Sequence, residues 1–144
     1  MSDSSVAGIL DDESQPVVHV DDDENTLFLV KSVYAKSELK NPFLSFTGGE
    51  QLFEYLNAVE TDGKPVPGLL LLDINMPVMN GFEVLKKIRS NKKFKDIPVC
   101  SMLTSSAQVR DRQMAIENGA NGYLIKPDNV TDFIAFFNSL RKKD

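Results

Sequence analysis

Four consecutive leucines, Leu69 to Leu72, end abruptly at Asp73. The run shows no alternation of apolar and polar residues, so it predicts a short strand that is buried on both faces. Two other short segments, 17–20 and 97–103, have the same apolar character. Strands of this kind belong to parallel sheets that helices cover on both sides. The chain is therefore expected to adopt an α/β fold built on a parallel sheet.

Strand and helix patterns alternate five times from Pro16 onward. Two additional strands are predicted over 43–46 and 122–125, and apolar residues at helical spacing predict a helix after each strand. Such an alternation is typical of a doubly wound sheet, and we expect five parallel strands in the order 2-1-3-4-5. In that order the first and third strands are neighbours at the point where the order reverses, which is where ligands bind in open α/β sheets.

The composition narrows the range of functions. The chain of 144 residues has a formal net charge of −5, which argues against a nucleic-acid-binding surface, because phosphate contacts need clustered lysine and arginine. Its one cysteine, Cys100, allows no internal disulfide, and the sequence shows neither a signal peptide nor an apolar run of about 20 residues. We therefore expect a cytoplasmic protein that contacts neither nucleic acid nor membrane directly.

The first 15 residues differ in composition from the rest of the chain. Residues 1–15 are rich in serine and aspartate and show no strand or helix pattern. A polar segment of this kind buries too little apolar surface to offset the entropy lost on ordering. We therefore predict a disordered leader over 1–15 and a single domain over 16–144.

Polar residues occur at the ends of four predicted strands. Asp21 and Asp22 follow the first strand, Asp73 the third, Thr104 the fourth and Lys126 the fifth. Because the carboxyl ends of parallel strands meet at one edge, the three carboxylates are expected to lie close together. Their mutual repulsion requires either neutralisation or a bound cation. Their hard oxygen ligands suit Mg²⁺, with Mn²⁺ as the alternative ion.

The same edge has the residue types needed for phosphoryl transfer. A carboxylate beside a divalent ion can act as the nucleophile that accepts a phosphoryl group. The Lys126 ammonium could neutralise one phosphoryl oxygen, and the Thr104 hydroxyl could donate to another. Taken one at a time, these residues have simpler interpretations, since aspartates often cap helices or occupy turns. Their joint placement on one edge favours the phosphoryl-transfer interpretation.

Four motifs fall on this edge in order: Val-Asp-Asp at 20–22, Leu-Leu-Asp-Ile-Asn-Met-Pro-Val-Met-Asn-Gly at 71–81, Leu-Thr-Ser at 103–105 and Gly-Tyr-Leu-Ile-Lys-Pro at 122–127. Together they resemble the receiver domain of two-component response regulators. The resemblance extends from about Pro16 to Leu140. It implies a flavodoxin-like (βα)5 domain of the stand-alone, single-domain type.

The resemblance also implies a role for each residue at this edge. Asp73 would be the phosphoacceptor. Asp21 and Asp22 would hold Mg²⁺ directly or through water, together with Asp73 and the backbone carbonyl of Asn75. Lys126 would contact the phosphoryl group.

A response to phosphorylation is implied as well. Thr104 would move toward the phosphoryl group, Tyr123 would turn inward with it, and the bond between Lys126 and Pro127 would be cis. The phosphodonor would be a phosphohistidine on a sensor histidine kinase or a histidine phosphotransfer protein. The output would be contact with a downstream protein or onward phosphotransfer, and the domain would be a monomer or a homodimer modulated by phosphorylation. It would catalyse only its own phosphorylation and dephosphorylation and would not be an enzyme acting on an external substrate.

A finer resemblance concerns regulators that serve phytochrome-type or hybrid kinases. It rests on the basic loop 91–96, the stretch 104–108 and Lys-Pro-Asp-Asn at 126–129. One departure from the family pattern is Asp128, where an apolar residue is common. Asp128 with Asn129 is instead expected to cap the last helix.

Two other functions share parts of this pattern. A metal-dependent phosphohydrolase also uses an aspartate nucleophile on an α/β sheet, but such enzymes place it after the first strand and carry a capping insertion. Here the candidate nucleophile follows the third strand, and no insertion is large enough. A binding module that had lost phosphorylation would lack one of the key residues, all of which are present. His19, the single histidine, is expected to be a packed strand residue rather than a phosphohistidine.

Overall fold

A computed structural model describes residues 6–103 and 109–143. Strands and helices alternate along this part of the chain. The strands are β1 (Val17–Val20), β2 (Phe43–Phe46), β3 (Leu69–Asp73), β4 (Val99–Leu103) and β5 (Gly122–Ile125). The helices are α1 (Glu24–Ala35), α2 (Gly49–Asp62), α3 (Gly81–Ser90), α4 (Val109–Glu117) and α5 (Val130–Ser139). Within these ranges no helix is long and apolar enough to cross a bilayer.

The five strands form one parallel sheet in the order β2-β1-β3-β4-β5, which confirms the predicted doubly wound, flavodoxin-like fold. The central strand β3 pairs with β1 on one side and β4 on the other. The register places Val20 beside Leu72 and Asp73 beside Met102, so β1, β3 and β4 end at the same edge. The fourth strand begins at Val99, two residues later than the pattern predicted.

The leucine run divides its side chains between two cores, which explains why every residue in it is apolar. Leu69 and Leu71 pack with residues of α1 and α5 on one face of the sheet. Leu70 and Leu72 pack with residues of α2 and α3 on the other face. All four leucines are buried, as expected for a central parallel strand covered on both sides.

Side chains cap the starts of three helices at the carboxyl edge of the sheet. Asp23 accepts a hydrogen bond from the Asn25 backbone amide at the start of α1. Asn80 forms a reciprocal capping box with Glu83 at the start of α3. Asn129 accepts from the Asp132 amide at the start of α5, which confirms the predicted cap there. These caps satisfy free amide groups at the helix starts and fix the loops that surround the site.

The segment before β1 is ordered over residues 6–15, which we call the N-terminal strap. Val6 and Leu10 are buried in the core shared with α1 and α5. The Leu10 amide donates to the Leu140 carbonyl at 2.8 Å, and the Lys142 amide donates to the Leu10 carbonyl at 2.8 Å. The expectation of disorder is therefore wrong for residues 6–15, because two apolar residues in a polar segment supply its anchors. Residues 1–5 lie outside the described part of the chain.

Replacing Leu10 with alanine is expected to lower the free energy of unfolding by about 2–5 kcal/mol, because the Leu10 side chain is almost fully buried. A Leu10 methyl carbon also lies 2.9 Å from where a side chain on Gly68 would begin, so the contact is close. Urea denaturation followed by circular dichroism measures the change. Leu29→Ala is the matched control, since Leu29 is 53% exposed. Equal unfolding midpoints for Leu10→Ala and Leu29→Ala would show that the strap does not stabilise the domain.

Candidate functional site

Three carboxylates meet at the carboxyl edge of the sheet, where β1 and β3 are neighbours. Asp21, Asp22 and Asp73, which we call the acidic cluster, each offer an oxygen, and these oxygens lie within 4.8 Å of one another. Asp21 and Asp73 are buried, whereas Asp22 is exposed. The structure therefore brings together the three carboxylates that the sequence placed at this edge.

Asp21 is the most constrained member of the acidic cluster. Its Oδ1 atom accepts a hydrogen bond from the Asp23 amide at 2.9 Å, whereas its Oδ2 atom is buried without a hydrogen-bond partner among the described residues. Burial raises the pKa of Asp21 to about 6; the Asp23 hydrogen bond opposes the rise and the charge of Asp73 adds to it. The carboxylate form of Asp21 is therefore costly in the free protein.

Lys126 lies between the two buried carboxylates. Its Nζ atom is 3.7 Å from Asp21 Oδ2 and 4.0 Å from Asp73 Oδ1. At these distances Lys126 forms ion pairs with both carboxylates, but the distances are too long for hydrogen bonds. Asp73 Oδ1 also accepts from the Asn75 amide at 3.2 Å. The Lys126 side chain is 31% exposed, so its ammonium has solvent on one side and room to reach an incoming anion.

The acidic cluster fits a divalent cation on two observations. Its oxygens span at most 4.8 Å, and oxygen ligands on opposite sides of Mg²⁺ lie about 4.2 Å apart. The buried Asp21 Oδ2 atom lacks a donor within the described residues, and a cation would satisfy it. The cluster could therefore hold a divalent metal ion. The Asn75 carbonyl as a further ligand stays a prediction.

Gly81 holds the loop that follows Asp73 close to the sheet. Its amide donates to the Ile74 carbonyl at 3.2 Å. A Cβ atom on Gly81 would lie 2.5 Å from the Asp73 carbonyl oxygen and 2.6 Å from Ile74 Cα. Within the same loop Val78 is fully exposed and has a φ of 67°, which is strained for a β-branched residue. The first turn of α3 is thus packed directly on the backbone of the candidate phosphoacceptor.

His19 lies beneath the acidic cluster, a proximity that the sequence interpretation did not include. Its side chain is fully buried in β1, as predicted for a packed strand residue, and its Nε2 atom is 3.8 Å from Asp21 Oδ2. Burial, with a contribution from the Lys126 charge, lowers the pKa of His19 to about 4. His19 is therefore neutral near neutral pH. Its position two residues before Asp21 was the available signal, since residues two apart along an extended chain share a face.

The remaining predicted site residues fall in three groups. Tyr123 lies in β5, half-buried, with the Arg112 guanidinium carbon 5.9 Å from its ring centroid. The Lys126–Pro127 bond is trans, so the predicted cis bond is wrong. The trans form is the intrinsically preferred one, and the chain reaches the Asn129 cap without the cis turn. Thr104 and the rest of 104–108 lie outside the described residues.

A parallel five-stranded α/β sheet whose carboxyl edge presents buried aspartates beside a lysine defines the class of flavodoxin-like domains with an acidic edge site. A family model described as the response regulator receiver domain matches residues 17–138. The chain belongs to this family, as its motifs predicted.

Several characterised proteins are similar to this chain. Response regulator Rcp1 of Synechocystis sp. is 33% identical over 127 residues, which are 85% of this chain and 86% of Rcp1. The crystal structure of Mn²⁺-bound Rcp1 has a TM-score of 0.70 at 30% identity and covers 86% of this chain and 89% of that one. The crystal structure of the phosphorylated cyanobacterial phytochrome response regulator RcpA has a TM-score of 0.72 at 26% identity and covers 86% and 89%. Regulators of the phytochrome-associated group are therefore among the relatives.

Other relatives are longer than the matched region. The probable methanogenesis regulatory protein FilR2 of Methanothrix harundinacea is 36% identical over 96 residues, which are 62% of this chain and 61% of FilR2. The chain spans only 32% and 34% of two further curated relatives, both transcriptional regulators. What those whole proteins do is therefore not carried over from the match.

Proposed function

We propose that this protein is a phosphoacceptor that is reversibly phosphorylated on Asp73 in a reaction that depends on Mg²⁺. The observation that carries the proposal is the placement of Asp73, a buried carboxylate at the end of the central strand, within 4.0 Å of Lys126 and beside two further carboxylates. A nucleophile, a nearby ammonium group and a potential metal site at one edge are the requirements of phosphoryl transfer to a carboxylate. Membership of the receiver family supports the same chemistry.

The proposed transfer step makes Asp73 the nucleophile. One carboxylate oxygen forms a bond to the phosphorus of a phosphohistidine while the bond between phosphorus and the histidine nitrogen breaks. The leaving imidazole retains the electron pair of that bond and takes up a proton from water. Lys126, already within ion-pair distance of Asp73, neutralises one oxygen of the transferred group. Its attraction to Asp21 holds the ammonium at the site before transfer.

Asp21, Asp22 and Asp73, with the Asn75 carbonyl, would hold the metal ion. When bound, Mg²⁺ or Mn²⁺ supplies positive charge that offsets the charge of the phosphoryl oxygens. The Mn²⁺-bound structure of Rcp1 and the phosphorylated structure of RcpA support this assignment by similarity. The buried Asp21 Oδ2 atom supports it independently of any relative.

The signal would leave the domain through a shift between two conformations. Phosphorylation adds charge and acceptor oxygens at the acidic cluster, to which Thr104 and Tyr123 respond. The donor is a sensor histidine kinase or a histidine phosphotransfer protein, and the output is contact with a downstream protein or onward transfer to a histidine. We place the protein in the cytoplasm, as a monomer or as a homodimer modulated by phosphorylation.

The test is intact-mass spectrometry after incubation with acetyl phosphate, a small phosphodonor. Wild type in Mg²⁺ is expected to gain one phosphoryl adduct, because Asp73 is then both available and charge-compensated. Wild type in EDTA and Asp73→Asn in Mg²⁺ are expected to gain none. Lys126→Met is expected to gain the adduct more slowly, since it lacks the only cation recorded within 4.0 Å of Asp73 among the described residues.

Each alternative outcome points to a different conclusion. An adduct that persists in Asp73→Asn would move the acceptor to another residue. Steady release of phosphate from unrelated phosphate esters would favour a phosphohydrolase. No adduct under any condition, and none from a panel of phosphorylated histidine kinases, would favour a binding module that works without phosphorylation.

A further inference from the structure

Arg112 of α4 and Tyr123 of β5 form a contact that the proposed chemistry does not use. The guanidinium carbon of Arg112 lies 5.9 Å from the centroid of the Tyr123 ring, within the range of a cation–π interaction. Both residues line a cavity of about 740 Å³ between α4, β5 and α5. Tyr123 is half-buried there, so part of its ring faces this cavity.

Among the described residues, the Tyr123 ring is the principal partner recorded for Arg112. The Nε atom of Arg112 is buried and has no hydrogen-bond partner in the described part of the chain. Asp128 and Asp132 line the same cavity, yet no carboxylate of the described residues lies within 4.0 Å of the Arg112 guanidinium. A partly desolvated guanidinium without an anion gains most from the face of an aromatic ring. Displacing the Tyr123 ring would leave Arg112 without that compensation.

We propose that Arg112 is a positioning residue that holds Tyr123 toward α4 and so opposes the inward turn of this side chain. The inference rests on the proposed function, in which phosphorylation of Asp73 favours the inward conformation. A contact present in only one of two conformations shifts their equilibrium by its own interaction energy. By reciprocity, the same contact weakens the binding of any group that favours the other conformation by the same factor.

Removing the cation is therefore expected to favour the inward conformation by about two- to fivefold, the range of an exposed to partly buried cation–π contact. The half-saturating concentration of a phosphoryl mimic at Asp73 should fall by the same factor. Arg112→Met removes the charge and keeps a long side chain. Arg112→Lys keeps a cation and is expected to restore most of the wild-type behaviour.

The experiment is a titration with beryllofluoride, a mimic of the aspartyl phosphate, in Mg²⁺, followed by fluorine NMR of fluorotyrosine-labelled protein. The chain has three tyrosines and no tryptophan, so the spectrum has few signals, and Tyr123→Phe assigns the one of interest. Arg110→Met is the matched control, because Arg110 is an exposed arginine on the same helix. The readouts are the half-saturating concentration and the position of the Tyr123 signal before and after saturation.

The proposal expects Arg112→Met to saturate at a two- to fivefold lower concentration than wild type, Arg112→Lys and Arg110→Met. It also expects the Tyr123 signal of free Arg112→Met to lie partway toward its saturated position. Equal half-saturation in Arg112→Met and Arg110→Met, with a normal wild-type response, would overturn the positioning role alone. A wild type that binds no beryllofluoride and gains no phosphoryl adduct would overturn the proposed function and this inference together.

Discussion

Asp21→Asn is expected to be more stable than wild type at a pH of about 8 without divalent metal, by up to about 3 kcal/mol. Burial first, and the Asp73 charge second, raise the pKa of Asp21 from its ordinary 3.8 to about 6. Each pKa unit corresponds to about 1.4 kcal/mol, which sets the upper limit. Asparagine removes the buried charge, and its side-chain oxygen can still accept the hydrogen bond from the Asp23 amide.

The pH dependence gives this prediction a signature. Between 3.8 and about 6 the folded protein binds more protons at Asp21 than the unfolded chain does, so wild-type stability falls as pH rises through that window. The advantage of Asp21→Asn should therefore be absent below the window, grow across it and become constant above it. Urea unfolding in EDTA at several pH values measures the difference between the two proteins. A constant difference at every pH would contradict the assignment to Asp21.

Metal should largely cancel the stability advantage of Asp21→Asn. An ion that binds only the folded state stabilises it by mass action, by about 2.7 kcal/mol at a hundredfold excess over the dissociation constant. Wild type is expected to gain this stability in Mg²⁺, and Asp21→Asn to gain much less. Asp22→Asn is the control in EDTA, because Asp22 is exposed and its charge is already hydrated. A wild type that unfolds identically in EDTA and in excess Mg²⁺ would contradict the metal site.

Gly81→Ala is expected to lower the free energy of unfolding by about 3 kcal/mol or more. The added methyl group would lie 2.5 Å from the Asp73 carbonyl oxygen and 2.6 Å from Ile74 Cα. Both are backbone atoms, so no side-chain rotation can relieve the overlap. The start of α3 must move away from β3, and the loop that carries Asn75 must move with it. We therefore expect acetyl phosphate to phosphorylate Asp73 more slowly as well.

Gly48→Ala is the matched control for this substitution. Gly48 precedes α2, its φ of −178° is extended, and no atom lies within 4 Å of the position of an added Cβ. Its cost is expected to be at most about 1 kcal/mol, from the weaker helix start. Thermal unfolding and the rate of adduct formation are measured on both variants. Equal stability of Gly81→Ala and Gly48→Ala would mean that the backbone of Asp73 and Ile74 yields easily.

The sheet and the residues at its carboxyl edge could be predicted from the sequence, because the local apolar pattern there is the one that the fold requires. A short run of leucines between a Gly/Pro loop and Asp73 favours a strand buried on both faces, such as β3, and the residue that ends such a strand lies at the edge of the sheet. The consecutive aspartates were a harder case. Asp21 is buried, Asp22 is exposed and Asp23 caps α1, and these differences depend on where α1 leaves the sheet.

Other features depend on contacts between distant parts of the chain, which local patterns do not encode. In the N-terminal strap, Leu10 bonds with residues about 130 positions later. The polar composition of the segment predicted disorder, because composition does not report such distant contacts. Arg112 reads as an ordinary polar residue of a helix, and only the packing of α4 on β5 sets it over Tyr123. The Lys126–Pro127 bond followed from family resemblance alone, and the predicted isomer was wrong.

Because of the N-terminal strap, the folded unit is longer than the region that the family model matches. Kinship with the receiver family is recorded over residues 17–138, whereas the polypeptide that shares one apolar core runs from Val6 to Leu140. The family match and the folding unit therefore cover different intervals of the same chain. A fragment of residues 17–138 would lack Leu10 and Leu140, and it would expose the apolar surface that these two side chains cover, including the space over Gly68. The limits of this folding unit are set by its contacts, and the family model matches a shorter interval within them.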